Sequence, residues 1–421
     1  MIPALIIFLA TYVLMIIFQK VRPWIALASA AVFLISGLLP WGKALSSVDF
    51  NVLLMIFGTM GTVALVIESK MPMLLADIIL SKVSNVKWAI IVLSLFAGIV
   101  SAFIDNVATV LMIAPIALAI AKKLKINPVG MIIAIAVSSN LQGAATLVGD
   151  TTSILLGGYA GMSFMDFFWY KGRPGIFWAV ELGAVCAASL LLILFKNETQ
   201  KVESRERTVV TDYFPSVLMA GTVLLLIAAS FIPDKPSITN GLICTVLMLI
   251  GMIRSVIQKK RPQAVLDLLK EIDFDTILLL FGLFIVIGGI TEQGVIDAIA
   301  QLFDRIGGGN LFWIYTLITW VSVVFSAFID NIPYVTTMLP VVRGMALAMG
   351  VDPTILYFGL LSGATLGGNL TPIGASANIT GIGILRKEGY TVRNSDFLKI
   401  GVPFTLAAVI PAYIFFWVFY A

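Results

Sequence analysis

The chain has no histidine, only two cysteines and few charges; 12% of its 421 residues are Asp, Glu, Lys or Arg. Without histidine there is no imidazole proton relay, no His–metal site and no HExxH peptidase chemistry. Cys186 and Cys244 each lie inside an apolar segment, where a thiol behaves as a small hydrophobe. No polar stretch exceeds about 20 residues, which leaves no room for a separate soluble domain. The rest is apolar: 60% of residues are hydrophobic, with a mean hydropathy of +1.04. That composition excludes a soluble globular protein and indicates an all-α polytopic membrane protein, with length for about ten to twelve helices. The opening run Ile2 to Phe18 lacks a basic leader and a small-residue cleavage site, so a retained helix is expected.

Apolar runs mark spans at 2–19, 24–41, 49–68, 174–195, 216–232, 239–257, 273–291 and 400–420. Two further apolar regions, 88–160 and 310–386, are interrupted by Asp, Asn, Gly and Pro. Irregular backbone at membrane depth is tolerated only where it is buried in protein or lines a cavity. Each region is therefore predicted to form a re-entrant helical hairpin, at 88–122 and 310–350, followed by a broken helix, at 128–160 and 352–386.

Inside these regions Ser101-Ala102-Phe103-Ile104-Asp105-Asn106 recurs letter for letter as Ser326-Ala327-Phe328-Ile329-Asp330-Asn331. The match belongs to a longer register at an offset of 224–225 residues. Asp49-Phe50 pairs with Asp273-Phe274, Phe57-Gly58 with Phe281-Gly282, and Gly143, Thr146 and Gly149 with Gly368, Thr371 and Gly374. So many matches in one register indicate an internal duplication, with repeats at 1–196 and 214–421 and a cytoplasmic linker at 197–213. Five crossings and one returning hairpin per repeat set the second repeat upside down, so the repeats are inverted. Under that topology 21 of the 27 Lys and Arg, Arg205, Lys260 and Arg261 among them, fall on one side; 6, including Arg305, fall on the other. The basic side is then cytoplasmic, both termini are extracytoplasmic, and the plasma (inner) membrane is the expected location. A short amphipathic helix at the interface is expected from Ala264 to Lys270.

An aspartate at the centre of a span costs about 2.5–3.5 kcal/mol on insertion scales and persists there only with a partner or a polar cavity. A helix broken at Asp105-Asn106-Val107-Ala108-Thr109 exposes free carbonyls from one half and free N–H groups from the other. Carbonyls with Asp and Asn side chains make a hard-oxygen site for Na⁺ or a proton, while the N–H ends suit an anion. The loop from Asn140 to Asp150 adds the Thr146 hydroxyl, a second carboxylate, and Gly143, where the backbone can approach an ion closely. The cation or proton candidates are Asp105, Asn106, Gly143, Thr146, Asp150, Asp330, Asn331, Gly368, Thr371 and Gly374, with Asp105 and Asp330 as Na⁺ ligands. The substrate candidates are Asn106, Thr109, Asn140, Asn331, Asn369, Ser376 and Asn378.

Asp150 aligns with Ala375, so the two sites are not expected to be equivalent. Asp150 is expected to be the more proton-like group, because a desolvated carboxylate beside another holds its proton more tightly. Plainer roles stand beside these: Asp105, Asp330 and Asp150 as helix caps, Asn106 and Asn331 as interhelical hydrogen-bond donors.

The motifs resemble those of the ion-transporter superfamily of arsenite permeases, NhaD-type sodium–proton antiporters, citrate permeases and divalent anion–sodium symporters. They are most similar to the branch around the P protein (pink-eyed dilution). The resemblance rests on the two SAFIDN tips, on Gly143 to Asp150, and on Gly367 to Asn378, and it covers essentially the whole chain. It implies an inverted-repeat fold, a scaffold that usually forms a homodimer, and a transport part that moves like an elevator. The dicarboxylate symporters carry Ser-Asn-Thr at the tips. Here Asn106 and Asn331 match, while Asp105 and Asp330 replace the serine, and Val107 and Ile332 the threonine.

The expected function is a sodium- or proton-coupled secondary transporter of a small anion or oxyacid, arsenite included. A fixed negative charge costs a neighbouring anion about 4 kcal/mol at 4 Å and an effective ε of 20, so an anion needs bound cations or protonated aspartates. A sodium–proton antiporter is the alternative, and a passive channel a remote one, since no TVGYG-like filter is present. No enzymatic activity, no nucleic-acid partner and no cofactor beyond the coupling ion are expected.

Overall fold

The computed structural model describes residues 1–202, 207–259, 263–307 and 310–421. Arg205, Lys260 and Arg261 lie outside the described residues, as does the side chain of Arg305. The chain is almost wholly helical. α1 (Ile2–Ile17) and α2 (Arg22–Ile35) meet at a bend of 115°. α2 stops short of the predicted end at 41, because Gly37 turns the backbone at φ +71°. α3 (Trp41–Ala44), α4 (Phe50–Ser69) and α5 (Met71–Leu80) follow, then α6 (Val86–Ser101), α7 (Asn106–Leu124), α8 (Val129–Gly143) and α9 (Thr151–Ala160). A two-residue antiparallel ribbon, β1 (Trp169–Tyr170) with β2 (Arg173–Pro174), leads into α10 (Ile176–Leu194).

The remaining helices are α11 (Phe214–Ser230), α12 (Thr239–Lys259), α13 (Gln263–Lys270), α14 (Phe274–Glu292), α15 (Val295–Gly307) and α16 (Leu311–Ser326). They are completed by α17 (Asn331–Met349), α18 (Thr354–Gly367), α19 (Ser376–Lys387) and α20 (Asn394–Tyr420). α13 falls on the segment expected to be an amphipathic helix. α5 and α15, short helices that each follow a long one, have no counterpart in the hydropathy reading.

Among the described residues seven helices are long and apolar enough to cross a membrane, or eight if α1 and α2 count as one bent span. Large apolar side chains face outward, among them Ile35, Phe231 and Leu347, each more than 70% exposed. In water such a surface drives association; against hydrocarbon it is the surface required. The chain is a multi-pass membrane protein.

Packing partners recur at the spacing of the sequence register. α4 lies along α12 and α2 along α14; α6 lies along α8 and α16 along α18; α10 lies along α20. The matched glycines explain two of these contacts. A Cβ on Gly58 would strike the backbone of Cys244 and Thr245, and one on Gly282 would fall 2.7 Å from Ala26 C. Small residues let helix backbones approach this closely in a membrane.

The segment 197–213, expected to be a solvated linker, is held in place where it is described. Val86 N and Lys87 N donate to the carbonyls of Gln200 and Glu198 at 2.9 and 2.8 Å. Thr208 N donates to Asp77 at 2.8 Å. The Arg254 guanidinium bonds Asp212 at 2.6 Å and holds that carboxyl below its usual value.

Candidate functional site

The two SAFIDN segments form matching turns between helices. α6 ends at Ser101 and α7 begins at Asn106; α16 ends at Ser326 and α17 begins at Asn331. Each aspartate caps its following helix. Asp105 Oδ2 accepts from Val107 N at 3.0 Å and Ala108 N at 3.1 Å, and Asp330 Oδ1 accepts from Ile332 N at 3.0 Å. Capping satisfies amide groups that the first helical turn leaves free. It engages one oxygen of each carboxylate and leaves the other for a ligand or an ion pair.

The loops that interrupt α8–α9 and α18–α19 are latched to these turns in the same way. Thr146 Oγ1 donates to the carbonyl of Ala102, and Thr371 Oγ1 to that of Ala327. Gly149 and Gly374 sit where carbonyls converge. A Cβ on Gly149 would lie 2.5, 2.7 and 2.8 Å from the carbonyl oxygens of Gly143, Ala102 and Ser101. One on Gly374 would lie 2.6, 2.8 and 3.0 Å from those of Gly368, Ser326 and Ala327. Two pockets of carbonyl oxygen therefore stand at equivalent places, and Ser101 Oγ, buried beside the first, has no hydrogen-bond partner. Thr146→Val or Thr371→Val should each lower stability by about 1–2 kcal/mol, because a buried carbonyl loses its donor. Thermal melting of the purified protein reads this directly, and unchanged melting would show that the latches are redundant.

The halves meet at a buried polar network. Asn106 Nδ2 donates to Asn140 Oδ1 at 3.1 Å; Asn140 Nδ2 donates to Thr365 O at 2.7 Å and to Asn369 Oδ1 at 3.1 Å. Asn369 Nδ2 donates to Val137 O at 2.9 Å. Asn378 Nδ2 donates to the carbonyls of Gly368 and Thr371 at 3.1 and 3.2 Å, and Thr109 is fully buried near Ile104 O. Thr109, Asn140 and Asn369 thus belong to internal bonding that shapes the site, as does the amide nitrogen of Asn378, whose buried Oδ1 has no hydrogen-bond partner. Asn106 has the interhelical role and still reaches the cavity described next.

A cavity of about 380 Å³ is lined by Asp105, Asn106, Asp150, Asp330, Asn331 and Ser376 of the sequence-derived set. Glu271, Asp273, Thr276 and Arg22, which sequence reasoning did not assign to a site, also line it. Five carboxylates face one basic residue among the described lining. Arg22 Nη1 is ion-paired to Asp330 Oδ2 at 2.8 Å. A recess of about 20 Å³, the size of a single water-sized particle, is walled by Thr59, Asp105, Gly149 and Asp150 among others. Asp150 accepts from Thr152 Oγ1 at 2.7 Å and makes no cap bond to its helix.

The amino ends of both turn-following helices and both loop-following helices converge on the cavity, represented in its lining by Asn106 of α7, Thr151 of α9, Asn331 of α17 and Ser376 of α19. Each end carries partial positive charge. At α7 and α17 the aspartates neutralise it. At α9 the N-cap is Asp150, whose carboxylate accepts from the Thr152 hydroxyl, and at α19 the N-cap is Ala375, which has no polar group to offer. The arrangement combines carboxylate and carbonyl oxygen for a cation with helix amino ends for an anion.

Comparison with known proteins shows what the chain is similar to. The chain matches the family described as citrate transporter, CitMHS, over residues 12–363. It is 30% identical to the uncharacterized transporter Rv2685 of Mycobacterium tuberculosis over 434 residues, covering 99% of this chain and 98% of that one. It is 33% identical to the uncharacterized transporter Rv2684 of the same species over 344 residues, covering 78% and 76%. The P protein of Mus musculus is 26% identical over 440 residues, which span 85% of this chain and 52% of that protein. In structure, the chain resembles the YdaH transporter of Alcanivorax borkumensis with a TM-score of 0.61 at 13% identity, covering 89% and 87% of the two chains. With a family match across most of its length and relatives aligned end to end, the chain belongs to the CitMHS citrate transporter family of the ion-transporter superfamily.

Proposed function

We propose that the chain is a cation-coupled secondary transporter of a small anion, a carboxylate such as citrate or an inorganic oxyanion. The observation that carries this is the meeting of both SAFIDN turns and both interrupted helices at one cavity. The recess between Asp105 and Asp150 takes Na⁺ or a proton; the open amino end of α19, with Ser376, Asn106 and Asn331, takes the anion. No cofactor beyond the coupling ion is needed for this.

In the membrane, α6–α7 and α16–α17 act as re-entrant hairpins of two inverted repeats, 1–196 and 214–421, joined by 197–213. The end of the cavity lined by Arg22, Ile67, Glu271 and Asp273 is the one that the distribution of basic residues assigns to the cytoplasm. The conformation is accordingly open to the cytoplasm, with both termini outside and the protein in the inner membrane. A homodimeric scaffold holds an elevator-like transport part.

Uptake of labelled citrate, succinate and sulfate into proteoliposomes, driven separately by sodium and pH gradients, tests the reading. Uptake of one anion that needs a cation gradient is the expected result; uptake that persists without either gradient overturns it. The excess of carboxylates lining the cavity favours one second reading, a sodium–proton antiporter. Sodium-driven proton flux with no anion movement would establish that instead.

A further inference from the structure

The two aspartates at the equivalent turns differ in their counter-charge. Asp105 shares its recess with a second acid, Asp150, and no basic residue lines that recess among the described residues. No second acid walls the recess beside Asp330 among the described residues, and Ala375 stands where Asp150 would be. That recess, also about 20 Å³, is walled instead by Tyr12, Gln19, Arg22 and Pro333. Arg22 Nη1 reaches Asp330 Oδ2 at 2.8 Å while Asp330 Oδ1 holds Ile332 N, so both carboxylate oxygens are engaged. Arg22 is well placed for this: it opens α2, which packs along α14. Tyr12 on α1 ties the same region by donating to Pro333 O at 2.7 Å and bonding Thr337 Oγ1.

We infer that Arg22 is a tethered cation that fills the second-half ion site in this conformation, so that a free coupling ion binds at the first-half site alone. The chemistry is that of an always-charged guanidinium against a carboxylate, which a monovalent ion displaces poorly because the tethered partner does not diffuse away. The first site, with two carboxylates and no basic residue walling its recess among the described residues, must recruit its cation from solution. The cavity therefore carries one exchangeable ion site and one self-neutralised site. The inference rests on reading Asp105 and Asp330 as ion sites, and its test separates the two.

The measurement is thermal melting of the full chain in detergent, titrated with NaCl against choline chloride at constant ionic strength. In the parent protein, sodium should raise the melting temperature in a single saturable step. That step should disappear in Asp105→Asn and persist in Asp330→Asn. Arg22→Gln should gain a second sodium-dependent step, absent from the Arg22→Gln/Asp330→Asn double variant and from Arg22→Lys, which keeps the charge. Loss of the parent step in Asp330→Asn as complete as in Asp105→Asn overturns the inference, and so does an Arg22→Gln protein that gains no step. If Arg22→Gln fails to fold, the comparison of the two single aspartate variants decides alone. If the parent shows no sodium step but Arg22→Gln gains one that depends on Asp330, the tether stands and the ion site at Asp105 falls.

Discussion

Asp105→Asn should abolish cation-dependent transport while leaving a folded protein. The substitution isolates charge from shape, because asparagine caps a helix about as well as aspartate and the acceptor for Val107 N and Ala108 N is retained. What disappears is one of the two carboxylates around the recess it shares with Asp150. A unit charge about 4 Å from a bound monovalent ion is worth about 4 kcal/mol at an effective ε of 20. Rehydration of the ion offsets part of that, leaving about 3 kcal/mol, roughly a hundredfold in cation affinity. Sodium titration by melting or isothermal calorimetry measures this, with initial rates in proteoliposomes alongside. A variant that binds sodium within threefold of the parent would remove Asp105 from the site.

Gly149→Ala should be strongly destabilising for a change of one methyl group. Its Cβ would lie within 2.8 Å of three carbonyl oxygens, all of them backbone, so no side chain can swing away to make room. Relief requires moving the turn at Ser101 and Ala102 away from the loop at Gly143, and overpacking of that kind costs about 3 kcal/mol. Gly374→Ala repeats the experiment at the equivalent place, with contacts of 2.6 to 3.0 Å and a slightly smaller expected loss. The methyl also sits where carbonyl oxygens converge, so cation binding should fall with stability. As a comparison, Gly383→Ala meets nothing within 4 Å and should melt like the parent. If Gly149→Ala melted and transported normally, the close approach of turn and loop would not be a feature of the working protein.

Much of the site was legible in the sequence because the membrane makes polar residues conspicuous. Asp105 and Asp330 stand out from apolar runs, and an identical hexapeptide at a fixed offset marks them as a pair. The same register located Gly149 and Gly374 and foretold that Asp150 would have no acidic counterpart. The helix breaks at 101–106, 143–151, 326–331 and 367–376 fall inside the predicted hairpins and broken helices. Local composition sets these features: a capping aspartate stands before α7 and α17, and glycines fill the loops between α8 and α9 and between α18 and α19, while Pro115 and Pro340 stay within helices.

Arg22 was not legible as a site residue. It lies 308 positions from Asp330, it follows an apolar run, and by the positive-inside pattern it reads as an anchor at the membrane surface. Glu271 and Asp273 have the same disguise at the start of α14. Nor did the sequence separate the asparagines. Asn106 and Asn331 line the cavity, while Asn140 and Asn369 are held in buried bonds and Asn378 is bonded there through its amide nitrogen alone.

By itself, then, the sequence determined that the chain lives in a membrane, where its helices break, and which carboxylates lie at the breaks, because each of these follows from local polarity and backbone preference. Only the tertiary structure decided which polar groups face a common cavity, which hold one another, and which aspartate has a guanidinium as its neighbour. Those depend on how helices hundreds of residues apart pack together, and the polarity of a residue does not say which partner will answer it.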